Sequence, residues 1–109
     1  MGGMGEELQA ILAELRRYFE RLYGPRLVRL VLFGSQARGD AEPGSDIDVL
    51  VVLASPVSAA KEAVLTLDFR AELSLRYNTV VSCIFMDEAR FEHERSPLLL
   101  NVRREGVTV

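Results

Sequence analysis

The sequence predicts an α+β domain in which a small mixed β-sheet carries helices packed on it. Three observations support this. The runs "LVRLVLF", "DIDVLVVL" and "TVVSCIFM" are short and rich in branched apolar residues, as strands are. Segments with apolar residues at three- and four-residue spacing stand before, between and after them. The link between the second and third runs is long enough for a crossover helix, which implies a parallel pair. The shorter link between the first and second favours an antiparallel pair.

In order along the chain, residues 6 to 23 place Leu8, Ile11, Leu12, Leu15, Phe19 and Leu22 on one helical stripe, and Gly24-Pro25 stops that helix. The first strand is 27 to 33. Residues 34 to 45 contain three glycines and one proline among small polar residues, which makes them a loop with room for one helical turn. The second strand, 46 to 53, has a continuous apolar tail, as a central strand covered on both faces would. Ser55-Pro56 supplies a cap and first position for a helix running to Tyr77, with Val64, Leu67, Ala71 and Leu75 on one stripe. Asn78 suits the left-handed residue that ends it. The third strand is 79 to 86, followed by short helices at 88 to 94 and 97 to 104. Gly106 ends the latter, and "VTV" supplies a last short strand. Most of Leu98, Leu99, Leu100 and Val102 are expected in the core, with a docking surface as the alternative.

At 109 residues the chain is expected to form one domain, 1 to 109, around a single core. Its 13 basic and 16 acidic residues leave a net charge of -3, with no basic face of the kind a nucleic-acid backbone requires. Arg16, Arg17, Arg21, Arg26 and Arg29 cluster, but Glu14 and Glu20 are interleaved with them, so they read as a solvated face. Cys83 is the only cysteine. It cannot form an internal disulfide and sits in an apolar run as a small hydrophobe. The lone His93 has no companions for a zinc site. The opening "MGGMGEE" has no signal-peptide character and no apolar run reaches membrane-spanning length, so a soluble cytoplasmic protein is expected.

The chemistry concentrates between 34 and 48. Asp46 and Asp48 are two apart at the start of a strand, so their side chains share a face. Like charges side by side repel, and a protein ordinarily accepts that for a bound cation. Hard oxygen ligands suit Mg²⁺ or Mn²⁺, which commonly sits on one or two carboxylates plus substrate phosphates. Gly34 and Ser35 follow the first strand directly, where a turning chain can aim backbone N–H groups at a phosphate. Arg38 offers a planar fork for phosphate oxygens, or an ion pair with Asp40 or Glu42. Antiparallel pairing of the first two strands would bring Ser35 beside Asp46.

Gly34-Ser35, ten residues, then Asp46-x-Asp48 resembles the signature of the nucleotidyltransferase superfamily whose best-known member is DNA polymerase β. The short chain resembles its minimal nucleotidyltransferase (MNT) branch, and the likeness extends to Arg38-Gly39 and to Ser45. It implies the palm-like fold of that superfamily and Mg²⁺-dependent transfer of a nucleoside monophosphate from an NTP to a hydroxyl, releasing pyrophosphate. By the same resemblance Gly34, Ser35, Arg38 and Ser45 bind the nucleotide, with ATP favoured, and Asp46 and Asp48 are catalytic and hold the metal. Proteins of this branch are commonly paired with a helical HEPN protein in toxin–antitoxin modules.

Catalysing members of the family usually carry a third aspartate early in the third strand. Here the strand reads Thr79-Val80-Val81-Ser82-Cys83, and Ser82, or Val81 with a one-residue slip, takes that position. Asp87 lies about 16 Å further along the strand, too far to share the ion. Asp68 and Glu72 on the crossover helix are the remaining candidates. The departure leaves a second reading, an MNT that binds nucleotide and a partner without catalysing. A resemblance of Asp46-x-Asp48 to the metal motif of glycosyltransferases meets a chain too short for their usual sugar-nucleotide domain.

Overall fold

The computed structural model describes residues 5–42 and 44–109. The first four residues, which open the stretch "MGGMGEE", and Pro43 of the loop lie outside it. The described elements are α1 (Glu6–Tyr23), a 3₁₀ turn (Gly24–Arg26), β1 (Leu27–Phe33), α2 (Ser35–Arg38), β2 (Ile47–Leu53), α3 (Ala59–Leu65), α4 (Leu67–Tyr77), β3 (Val81–Asp87), α5 (Glu88–His93), α6 (Pro97–Glu105) and β4 (Val107–Thr108). The strands form one sheet in the order β3-β2-β1-β4. As the link lengths predict, β1 and β2 are antiparallel and β2 and β3 are parallel. The terminal "VTV" adds β4 against β1.

Strand alternation sorts the sheet into two faces. Ile47, Val49, Val51 and Leu53 of β2 point into one apolar cluster with Ile11, Leu12, Leu15 and Phe19 of α1 and Leu73 of α4. Leu50 and Val52 point the other way, into a smaller cluster with Val31, Met86, Leu99 and Val102. Both faces of β2 are therefore covered, which accounts for its unbroken apolar tail. Leu99 and Val102 are core, while Leu100 is half exposed. On α1, Tyr23 rather than Leu22 completes the buried stripe.

The crossover departs from expectation in three ways. The helix begins after Ser58, whose hydroxyl accepts from the Lys61 amide, and not at Ser55-Pro56, whose peptide bond is cis. Thr66 separates it into two helices, although the Thr66 amide still donates to the Glu62 carbonyl and its own carbonyl still accepts from Arg70. The stripe Val64, Leu67, Ala71, Leu75 faces outward, whereas an apolar stripe ordinarily faces the core. Specific pairings choose the inward face instead. The buried Tyr23 hydroxyl donates to Glu62 at 2.7 Å, Phe69 stacks on Tyr18 at 3.8 Å, and the buried Thr66 hydroxyl donates to the Glu62 carbonyl at 2.9 Å. Arg70 is drawn in by Thr66 and the Ala63 carbonyl. Asn78 then closes α4 in the left-handed conformation, as its side chain allows.

Candidate active site

The site forms where the end of β1 meets the start of β2. Phe33 pairs with Asp48 in the antiparallel register, so the residue after Phe33 is delivered to the Asp48 carboxylate. That residue is Gly34, with φ +78°. A Cβ placed on Gly34 would lie 2.7 Å from Asp48 Oδ2, inside van der Waals contact. Glycine is needed here both for the backbone angle and for the room the carboxylate takes. The chain then makes the single turn α2, in which the Gly34 carbonyl accepts from the Ala37 and Arg38 amides. The Ser35 and Gln36 amides open that turn and have no partner within it. They are the backbone donors that could meet a phosphate.

Asp46 lies just before β2, exposed, and Asp48 lies within it, half-buried. Asp48 shares its sheet face with Leu50 and Val52, the face of the smaller cluster. Its carboxyl is held above the ordinary aspartate range, first because burial penalises the charged form and then because Asp46 adds a second negative charge. A cation on the pair would remove both costs, so the donor set fits a hard divalent ion.

The parallel register places Ser82 beside Asp48 and Val81 beside Ile47. Ser82, and not Val81, is therefore the β3 residue on the face of Asp48, and Val81 is buried on the other face. Asp68 and Glu72 do not make good the missing acid. They are exposed on α4, the helix that packs Leu73 into the cluster on the opposite face of the sheet. Asp87 pairs with Leu53 at the far end of β2 and caps α5 through the Arg90 amide. Among the described residues, no group of three or more acidic, histidine or cysteine side chains could hold a metal.

The other two residues singled out in the loop have local partners. Ser45 closes a turn, its hydroxyl accepting from the Glu42 amide at 2.9 Å and its carbonyl from Gln36 Nε2 at 3.3 Å. Arg38 is exposed and paired with Asp40 and with Glu105, each at 3.1 Å. Asp40 was one of the two pairings anticipated. Glu105, 67 residues away on α6, left no sign in the sequence as a contact of this loop. Cys83 is far from any nucleophilic role, since burial pushes its thiol up to about 12.

Comparison with known proteins bears on this geometry. The family model described as a nucleotidyltransferase domain matches residues 12–101. The chain belongs to the nucleotidyltransferase-domain family. It is therefore one of an enzyme family that moves nucleotidyl groups. The chain is 33% identical over 78 residues to a candidate protein adenylyltransferase of Methanocaldococcus jannaschii, covering 72% of this chain and 78% of that one. Among solved structures, a toxin–antitoxin complex with AMP-PNP superposes with TM-score 0.62 at 20% identity, covering 95% of this chain and 72% of that one. A complex of MNT antitoxin with the tri-AMPylated HEPN toxin of Shewanella oneidensis gives TM-score 0.54 at 20% identity, covering 92% and 69%. At these identities the two structures establish the shared nucleotidyltransferase fold. No described helix is long and apolar enough to cross a membrane.

Proposed function

We propose that this nucleotidyltransferase moves AMP from ATP to a hydroxyl on a helical HEPN-type partner protein, and so acts as an antitoxin. The observation that carries the reading is the Asp48 carboxylate, held against Gly34 and beside Asp46 at the mouth of two paired strands. Asp46 and Asp48 are the residues that would hold Mg²⁺ or Mn²⁺. A divalent ion there would neutralise charge on the triphosphate and on the departing pyrophosphate. Gly34 leaves the backbone open to an anion, and the Ser35 and Gln36 amides with the Ser35 hydroxyl would donate to phosphate oxygens. Arg38 would exchange its pairing with the exposed Asp40 and the half-buried Glu105 for a phosphate oxygen, and Ser45 would hold the loop in shape. In the reaction the acceptor oxygen bonds to the α-phosphorus, the bond to the β-phosphate bridging oxygen breaks, and the acceptor proton passes to water. The relatives named for protein adenylylation and for a HEPN toxin support the choice of AMP and of a protein acceptor.

Ser82 in the third-carboxylate position favours a second reading, an MNT that binds nucleotide and partner without transfer. One experiment separates the two. The protein is incubated with Mg²⁺, a HEPN-type partner, and ATP, GTP, CTP or UTP labelled at the α-phosphate. Label entering the partner from ATP, and lost with Asp46→Asn/Asp48→Asn, supports transfer. Nucleotide binding without label on the partner supports the second reading. Ser82→Asp adds a sharper expectation. Beside Asp48 it should raise transfer about tenfold or more in Mg²⁺, the scale at which groups that tune a metal site act. In EDTA the same variant should melt below the parent, because a third negative charge joins an unneutralised pair. Transfer unchanged by Ser82→Asp would place the missing acid elsewhere.

A further inference from the structure

The outward stripe of the crossover is the feature the site does not use. Val64 is 74% exposed, Leu67 52% and Leu75 83%, and Ala71 between them is exposed as well. We propose that this face of α3 and α4 pairs with the same face of a second copy, the two crossovers running antiparallel about a two-fold axis. Three observations select a second copy as the occupant.

Charge is the first. At 3.6 residues per turn, Lys61, Asp68 and Glu72 line up along one edge of the stripe, all exposed. None of the three forms an ion pair among the described residues. The row is basic at its N-terminal end and acidic at its C-terminal end. In an antiparallel pair the same edges of the two helices face each other, so Lys61 of each copy meets the acidic end of the other. Self-complementarity of this kind is what a two-fold interface requires.

Area is the second. Taking ~60–120 Å² of apolar surface per Val or Leu side chain, Val64, Leu67 and Leu75 together expose on the order of 130–250 Å². That is the apolar centre of an interface of about 800 Å² per partner. Ala71, between Leu67 and Leu75, leaves room there for the partner's larger side chains.

Place in the fold is the third. α4 packs on the sheet face opposite Asp48, so a copy docked there leaves both sites open to solvent and to an acceptor. An acceptor protein seated on the stripe would have the sheet between it and the Asp48 carboxylate.

The test is sedimentation of the purified protein from about 1 to 300 μM, the range in which a small interface dissociates. A monomer–dimer equilibrium is expected. Leu75→Asp should raise its dissociation constant at least about tenfold, because it puts a charge on the most exposed apolar residue of the face. Leu75 is almost fully exposed, so an unchanged melting temperature of the diluted monomer shows that the fold survives the change. Lys61→Glu should weaken the dimer, and adding Glu72→Lys should restore it. A monomer throughout the range, or a dimer indifferent to Leu75→Asp and to the charge swap, overturns the proposal. So does a HEPN-type partner that binds the monomer and is lost with Leu75→Asp.

Discussion

Asp48→Asn is expected to do two opposite things at once. It should cut nucleotidyl transfer by more than about a hundredfold, since groups that merely orient a metal ligand already account for 10–100-fold. It should also raise the melting temperature of the ligand-free protein. The reason is linkage. The folded-state pKa of Asp48 lies above the ordinary value of 3.8, so protonation favours the folded chain. Whatever stability that proton confers is fully present below pH 3.8 and is lost as pH rises through the folded pKa. Asparagine does not titrate. The gain in melting temperature should therefore be small in acid, widen across that window and then level off. Saturating Mg²⁺-ATP should reverse the order. At a hundredfold excess over the dissociation constant it stabilises the parent by about 2.7 kcal/mol, a shift on the order of 10 °C. The variant should gain almost none of it. Thermal melts at several pH values, with and without Mg²⁺-ATP, read both effects. Equal stabilisation of parent and variant by Mg²⁺-ATP would remove Asp48 from the metal site.

Gly34→Ala is expected to damage fold and site together. The new methyl would meet Asp48 Oδ2 at 2.7 Å in a backbone conformation, φ +78°, that side-chain-bearing residues avoid. A side chain at φ +78°, ψ -159° would occupy a backbone region that is essentially glycine's alone, which costs about 1–3 kcal/mol, and 1 kcal/mol moves the melting temperature of a domain of this size by roughly 4–8 °C. Relief of the clash would turn the Asp48 carboxylate away from the loop, so nucleotide affinity should fall further than stability does. Gly39→Ala is the control. It also has a positive φ, +82°, but lies in the left-handed region with ψ 12° and open space around it, so milder strain without the clash should lower the melting temperature and leave nucleotide affinity much less affected. Equal losses of affinity in the two variants would mean that contact with Asp48 is not what Gly34 provides.

Most of the architecture was legible before any coordinates because it rests on local rules. The helix from Glu6 to Tyr23 and the strand from Leu27 to Phe33 fall at the bounds their periodicity predicts. Asn78 ends α4 by the left-handed turn its side chain tolerates. The pairing directions of β1, β2 and β3 follow from how many residues join them. The candidate site was legible in part for the same reason: the antiparallel register pairs Phe33 with Asp48 and so brings Gly34 to the Asp48 carboxylate.

What the sequence could not express is which of two apolar faces a helix turns inward. Val64, Leu67, Ala71 and Leu75 form a continuous stripe, yet α3 and α4 turn Leu73, Phe69 and Thr66 to the core. Their partners there, Tyr18, Tyr23 and the sheet, are set by packing across the chain. The hold of Glu105 on Arg38 is equally invisible, since it joins elements 67 residues apart. Asp68 and Glu72 kept their place as candidate acids only until the crossover was assigned to a face. Local periodicity determines the elements and where the aspartates stand. Only the tertiary structure, through contacts between residues distant in sequence, decides which face of each element is buried and which carboxylates can share an ion.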